Sequence, residues 1–296
     1  MNEPRQSSIL CADAQGLHRM AYVEWGAADN PNVVVCVHGL TRQGRDFDSL
    51  AQALAADFRV VCPDVVGRGR SDWLADPTGY QVPTYVADLV TLIAALGLDP
   101  RTPQVDWVGT SMGGIVGLAL ASMRDGRGHS LVRRLVLNDV GPAITADSVQ
   151  RIGNYLGQPK RFASEQEAAD YFWSISQGFG PHTPKQWLAL SRPQIKRDGA
   201  EWISRYDPGI ALPFKAANAA TARIGEALLW QRYDSLTCPT LVLRGAESDL
   251  LTRETAEAMT QRGPKAKLVE IAGVGHAPTF VAPDQIAVVR EFLKPS

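Results

Sequence analysis

Short apolar runs alternate with helically spaced stretches through the first half of the chain. The run at residues 33–37 is continuous, as expected for a strand covered on both faces, and the earliest run alternates like a half-buried strand. The pattern predicts strands at residues 17–25, 33–37, 59–62, 105–108 and 135–137, and helices at residues 46–56, 82–96 and 112–123. This order predicts an α/β fold, a mostly parallel twisted sheet with helices on both faces.

The pattern changes between residues 144 and 236, where no strong strand signal occurs. Helical runs are predicted there at residues 147–156, 165–176 and 225–233. The alternation of strand and helix then resumes, with strands predicted at residues 240–243 and 267–271 and helices at residues 253–261 and 283–293. The sequence therefore predicts an α/β core formed by residues 1–143 and 237–296, with residues 144–236 inserted as a helical cap, or lid.

Composition restricts the classes of partner. The 296 residues are 45% hydrophobic, enough to bury a sizeable core. Lysine and arginine total 30 against 31 acidic residues, which argues against a nucleic acid held on a basic surface. The 4 cysteines form no C-x-x-C pair, and no histidine or carboxylate cluster has metal spacing, so neither disulfides nor a metal is expected.

The sequence also lacks the signals of a membrane or dinucleotide-binding protein. Residues 1–6 are polar, and no window approaches the roughly 20 apolar residues of a membrane span, so we expect a cytoplasmic protein. Gly67-Arg68-Gly69 lacks the third glycine of a dinucleotide-binding motif, so no cofactor is expected.

A G-x-S-x-G motif carries the sharpest chemical signal. Residues 109–113 read Gly-Thr-Ser-Met-Gly, between a predicted strand and a predicted helix. In that context a sharp turn holds the serine in strained backbone angles and lifts its hydroxyl above the sheet. We therefore predict that Ser111 is a nucleophile.

A serine hydroxyl needs a base, and the base needs an orienting acid. His276 follows the last predicted strand, at the sheet edge where Ser111 also lies. Asp249 follows the preceding strand, and the order serine, acid, histidine favours it as the orienting acid. Asp139, after the strand at 135–137, and Glu247 are the alternatives.

The third requirement is a pair of donors for an oxyanion. Gly39 follows the first buried strand and allows the chain to turn there. We predict that the backbone N–H groups of Leu40 and Met112 form the oxyanion hole. His38, before this glycine, is expected to shape the loop by hydrogen bonding.

Taken together, these motifs resemble the α/β-hydrolase superfamily, in its capped esterase, lactonase and C–C hydrolase branch. The matching residues are His38-Gly39, Asp64 with the Gly-Arg-Gly-Arg-Ser of 67–71, Gly109-Thr110-Ser111-Met112-Gly113-Gly114, Gly245 with Asp249, and Gly275-His276. The resemblance implies that the loop at 64–71 is mainly architectural, and that the cap lies between the sixth and seventh core strands.

The resulting hypothesis is a carboxylesterase that cleaves small or medium esters, or lactones, through an acyl-enzyme on Ser111. The alternatives are a C–C bond hydrolase of the ring-fission dienoate type, a cofactor-free haloperoxidase, and a hydrolase fold retained as a small-molecule receptor. The expected partner is a small ester or lactone, with no nucleic acid.

Several side chains near the site have two interpretations. Tyr171, Phe172 and Trp173 either line an acyl pocket or pack the cap onto the core. Arg42 and Arg45 follow the oxyanion loop, where solvated side chains are expected more often than contacts to a substrate carboxylate.

Overall fold

An eight-stranded sheet forms the centre of the molecule. The computed structural model describes residues 3–98 and 105–294. The strands are β1 (Arg5–Asp13), β2 (Gly16–Trp25), β3 (Val33–Val37), β4 (Arg59–Pro63), β5 (Val105–Thr110), β6 (Val132–Asn138), β7 (Arg161–Phe162), β8 (Ile195–Asp198), β9 (Glu201–Ser204), β10 (Thr240–Gly245) and β11 (Lys267–Ile271). The large sheet has the order β1-β2-β4-β3-β5-β6-β10-β11. Only the pairs β1–β2 and β2–β4 among these are antiparallel.

Helices cover both faces of this sheet. The helices are α1 (Asp48–Leu54), α2 (Val82–Ala95), α3 (Met112–Ser122), α4 (Ala146–Tyr155), α5 (Glu165–Ile175), α6 (Pro184–Ser191), α7 (Ala211–Ala216), α8 (Ala219–Asp234), α9 (Arg253–Gln261) and α10 (Pro283–Leu293). Side chains of β3 alternate between two cores, because successive residues of a strand point to opposite faces. Val35 packs in the cluster that contains α2 and α3, and Val34 packs in the cluster that contains α1 and α10.

The prediction of a mostly parallel sheet with helices on both faces is confirmed, but the sequence reading missed four strands. β1 pairs with β2 along its whole length at the edge of the large sheet. Its sequence, RQSSILCAD, is mostly exposed and therefore lacks an apolar pattern. The other three, β7, β8 and β9, form a small separate sheet and are too short to show a period of two.

The small sheet and helices α4 to α8 lie between β6 and β10, the sixth and seventh strands of the large sheet along the chain. The loop at 64–71 holds this inserted segment through backbone hydrogen bonds. Gly69 N donates to Arg205 O at 2.8 Å, and Asp207 N donates to Gly67 O at 2.8 Å. No helix in the described ranges has the length and apolar character that crossing a bilayer requires.

Candidate active site

Ser111 lies on a tight turn between β5 and α3. Its φ is +52°, in the left-handed region that a non-glycine residue rarely occupies. A Cβ atom on Gly113 would lie 2.0 Å from Val37 O, and one on Gly109 would lie 2.3 Å from Gly113 O. The two glycines are therefore required for the close approach of helix and strand that raises Ser111 to the edge of the sheet.

His276 joins Ser111 to a buried carboxylate. Its Nε2 lies 3.0 Å from Ser111 Oγ, and its Nδ1 lies 2.7 Å from Asp139 Oδ2. Asp139 is fully buried at the end of β6, whereas the imidazole is slightly exposed. The geometry fits a tautomer in which Nδ1–H donates to Asp139 and Nε2 accepts from the hydroxyl.

The expected acid, Asp249, does not contact this histidine. Its carboxylate is exposed and accepts two hydrogen bonds from Arg151 of α4, at 2.6 and 2.9 Å. Glu247 is exposed as well. The assignment of Asp249 is therefore wrong, and Asp139, the weaker alternative in the sequence, holds the position beside His276. The physical reason is local, because Asp139 has a φ of +54° immediately after β6 and turns back beneath the imidazole.

Three donors surround the Asp139 carboxylate. Besides His276, the backbone N–H of Gly245 donates to Oδ1 at 2.8 Å and the hydroxyl of Ser248 donates to Oδ2 at 2.6 Å. Ser248 also accepts hydrogen bonds from Leu250 N and Leu251 N, which fixes its rotamer. Ser248 was not among the predicted site residues, although it lies in the same polar loop as Asp249 and Glu247.

Asn138 is a second residue that sequence reasoning missed. Its side-chain amide donates to Thr110 Oγ1 at 2.9 Å and to Pro278 O at 2.8 Å. The buried amide therefore ties the end of β5, just before Ser111, to the loop that carries His276. Its only sequence signal is a polar residue at the end of an otherwise apolar strand.

The loop after β3 packs directly against Ser111. A Cβ atom on Gly39 would lie 3.8 Å from Ser111 Cβ. Within residues 3–98 and 105–294, neither Leu40 N nor Met112 N has a hydrogen-bond acceptor. An oxyanion requires donors that have no other acceptor, so the role of these two N–H groups as an oxyanion hole stays a prediction.

Two buried side chains hold this loop. His38 donates from Nδ1 to Gly39 O at 2.7 Å and accepts at Nε2 from Val65 N at 3.0 Å. Burial lowers the pKa of His38 to about 3, so the imidazole is neutral, and its two hydrogen bonds stabilise the loop. Arg68 is also fully buried, and its Nε donates to Leu40 O at 2.8 Å.

A cavity opens in front of Ser111, with an empty volume of about 1190 Å³ that includes its mouth. The inserted segment covers it with Tyr171 and Phe172, among other residues. Trp173 instead stacks edge-on against Trp187, with ring centroids 5.1 Å apart. Tyr171 and Phe172 therefore line the cavity, whereas Trp173 packs within the inserted segment and not against the core.

Arg42 lines the cavity too, but it is not solvated. Its guanidinium donates to both oxygens of Asp46 at 2.7 Å. Arg45 pairs outside the cavity with Asp48 and Glu3.

In the described part of the chain, one group of side chains has the spacing of metal ligands: Cys11, His18 and Asp88. Cys11 and His18 lie on β1 and β2 and Asp88 lies on α2; all three are buried, and none lines the cavity. His18 Nε2 and Asp88 Oδ2 lie 2.9 Å apart and form a hydrogen bond.

The chain is similar to known hydrolases over nearly its whole length. The model of the alpha/beta hydrolase family matches residues 34–289. A 3-hydroxybutyrate-oligomer hydrolase of Cupriavidus necator is 52% identical over 98% of this chain and 97% of its own. An esterase of Mycobacterium tuberculosis is 26% identical over 79% of this chain and 72% of its own. The crystal structure of an alpha/beta hydrolase from Novosphingobium aromaticivorans, 35% identical, superposes with a TM-score of 0.84 over 99% of each chain.

Proposed function

The chain belongs to the alpha/beta hydrolase family, and we propose that it is a serine ester hydrolase that forms an acyl-enzyme on Ser111. The observation that carries this proposal is the hydrogen-bond chain from Ser111 through His276 to Asp139, with distances of 3.0 and 2.7 Å. It opens onto a cavity with a mainly apolar lining, as is typical of small-molecule sites.

The proposed reaction has two steps. Ser111 Oγ attacks the ester carbonyl carbon while its proton passes to His276 Nε2. The N–H groups of Leu40 and Met112 donate to the oxyanion that develops. When the ester C–O bond breaks, the leaving alcohol takes the proton from His276.

Water completes the cycle. His276 accepts a proton from water as the water oxygen attacks the acyl carbon, and the Oγ–C bond then breaks. The acid leaves, and the proton returns to Ser111. Throughout, Asp139 holds the tautomer of His276 and stabilises the imidazolium.

We further propose that the substrates are linear oligomers of 3-hydroxybutyrate, the class named for the Cupriavidus necator relative. These are chains of short ester units with methyl branches. The apolar and aromatic lining of the cavity, including Phe172 and Ile175, suits such a chain. Residues 144–236 would then act as the lid over the bound oligomer, with residues 1–143 and 237–296 as the core.

The experiment compares wild type and Ser111→Ala on p-nitrophenyl butyrate and on the 3-hydroxybutyrate trimer. We expect kcat to fall at least ~10³-fold on both substrates. Ser174→Ala, an exposed serine of α5, is the matched control and should retain wild-type rates. Equal rates for Ser111→Ala and wild type would refute the nucleophile. Tight binding of the trimer to wild type without any turnover would favour the receptor hypothesis.

A further inference from the structure

The cations that line the cavity differ in how they are neutralised. Arg42 is paired with Asp46 at 2.7 Å, and Arg151 is paired with Asp249 at 2.6 Å. Lys160 lines the same cavity, yet no carboxylate in the described ranges lies within 4.0 Å of its ammonium group. Asp46, already committed to Arg42, is the one carboxylate among the described lining residues.

Lys160 is held at the cavity rather than extended into solvent. It is half-buried between α4 and β7, and its Nζ lies 5.3 Å from the centre of the Tyr171 ring. A cation–π contact of this kind orients an ammonium group without neutralising its charge. The neighbouring Arg161 provides a contrast, because it turns outward and pairs with Asp198 and Glu201.

The chemistry of the proposed substrate supplies a partner for this charge. A linear hydroxyacid oligomer has a hydroxyl at one end and a single carboxylate at the other. Whichever ester bond is cleaved, that carboxylate remains with the leaving alcohol. A cation that binds it must therefore lie on the leaving-group side of Ser111.

We propose that Lys160 is the specificity residue that binds the terminal carboxylate of the oligomer and thereby sets which ester bond reaches Ser111. This inference rests on the proposed function. It implies that cleavage proceeds from the carboxyl end and releases a short hydroxyacid, while the hydroxyl-terminal part forms the acyl-enzyme.

The test uses three substrates that separate charge recognition from ester cleavage: the free-acid trimer, the same trimer capped as a carboxamide, and p-nitrophenyl butyrate. Lys160→Met should raise KM for the free acid about tenfold, the scale of a hydrogen bond between charged groups. KM for the capped trimer and kcat/KM for p-nitrophenyl butyrate should stay within about twofold. Lys160→Arg should restore most of the affinity for the free acid, because it keeps the charge.

The matched control is Lys185→Met, which removes an exposed lysine of α6 outside the cavity and should change none of these values. An equal rise in KM for the free and capped trimers would overturn the carboxylate role, as would an unchanged KM for the free acid.

Calorimetry in a Ser111→Ala background keeps this inference separate from the proposed reaction. Binding of the free-acid trimer needs no turnover there, and Lys160→Met should weaken it about tenfold. If the trimer is bound through Lys160 but never cleaved by wild type, the proposed function fails and the subsite stands. If wild type cleaves the trimer but Lys160→Met does not weaken its binding, only the proposed role of Lys160 is refuted.

Discussion

The loops that follow β6 and β10 begin at the same edge of the sheet and each carries an aspartate. The two strands are parallel neighbours, with Asn138 paired to Leu243. Yet Asp139 is fully buried with three donors around its carboxylate, and Asp249 is exposed and bound to Arg151. A position at the end of a strand therefore brings an aspartate to the edge of the sheet, but the local backbone conformation determines which groups its carboxylate contacts.

The two loops nevertheless act together. The β10 loop places the hydroxyl of Ser248, rather than the carboxylate of Asp249, against Asp139. The neighbouring Asp249 points the other way and ties α4 of the inserted segment to the core, where Thr145 also donates to its carbonyl at 2.6 Å. One loop thus positions the acid and attaches the inserted segment.

The comparison is tested by replacing each aspartate with asparagine, and the largest expected effect is the loss of kcat in Asp139→Asn. Asp139→Asn keeps the shape but removes the charge that stabilises the imidazolium, and asparagine can donate to Nδ1 and so favour the wrong tautomer. We expect kcat on p-nitrophenyl butyrate to fall about 10³-fold or more. The measurement is steady-state kinetics, with thermal unfolding to verify that the variant is folded.

The same exchange at position 249 is the matched control. If Asp249→Asn abolished activity while Asp139→Asn retained it, the assignment of the acid would have to be reversed.

Ser248→Ala probes the contribution of the β10 loop to the acid. The hydroxyl donates to a buried carboxylate, and loss of such a bond costs about 1.5–3 kcal/mol. Asp139 keeps its bonds to Gly245 and His276, so we expect a fall in kcat of about tenfold, at the low end of that range. Ser248→Thr retains the hydroxyl and should recover most of the rate.

A merely structural role for Ser248 would give a different result. The alanine variant would then lower the unfolding temperature and leave kcat on the folded fraction unchanged.

The same comparison explains how much the sequence could predict. β3 is a continuous apolar run and β4 is apolar after Arg59, so their positions follow from hydrophobicity, and the glycines around Ser111 specify its turn. Which acid faces His276 depends on a positive φ at an aspartate, which no hydrophobic period encodes. The preference for Asp249, whose loop follows the strand that precedes the one before His276, therefore selected the wrong loop.

The strands β7, β8 and β9 escaped prediction for a related reason. They are two to four residues long and pair as strands with one another, apart from the large sheet, so packing of the inserted segment rather than local pattern fixes them. The charge of Lys160 is likewise visible in the sequence, but that no described carboxylate pairs with it appears only once the cavity is assembled.

The smallest expected effect is that of breaking the ion pair between Arg151 and Asp249. Because both side chains of the Arg151–Asp249 pair are more than 40% exposed, the pair should contribute at most about 1 kcal/mol to stability. We expect Asp249→Asn and Arg151→Met each to leave kcat on p-nitrophenyl butyrate within about threefold of wild type. A double-mutant cycle of unfolding free energies measures the coupling, and its value should decrease as salt is added. A coupling free energy well above about 1 kcal/mol, together with loss of kcat in both single variants, would contradict this expectation. The Arg151–Asp249 pair would then also control the geometry of Ser111, and the β6 and β10 loops would differ less in function than their contacts indicate.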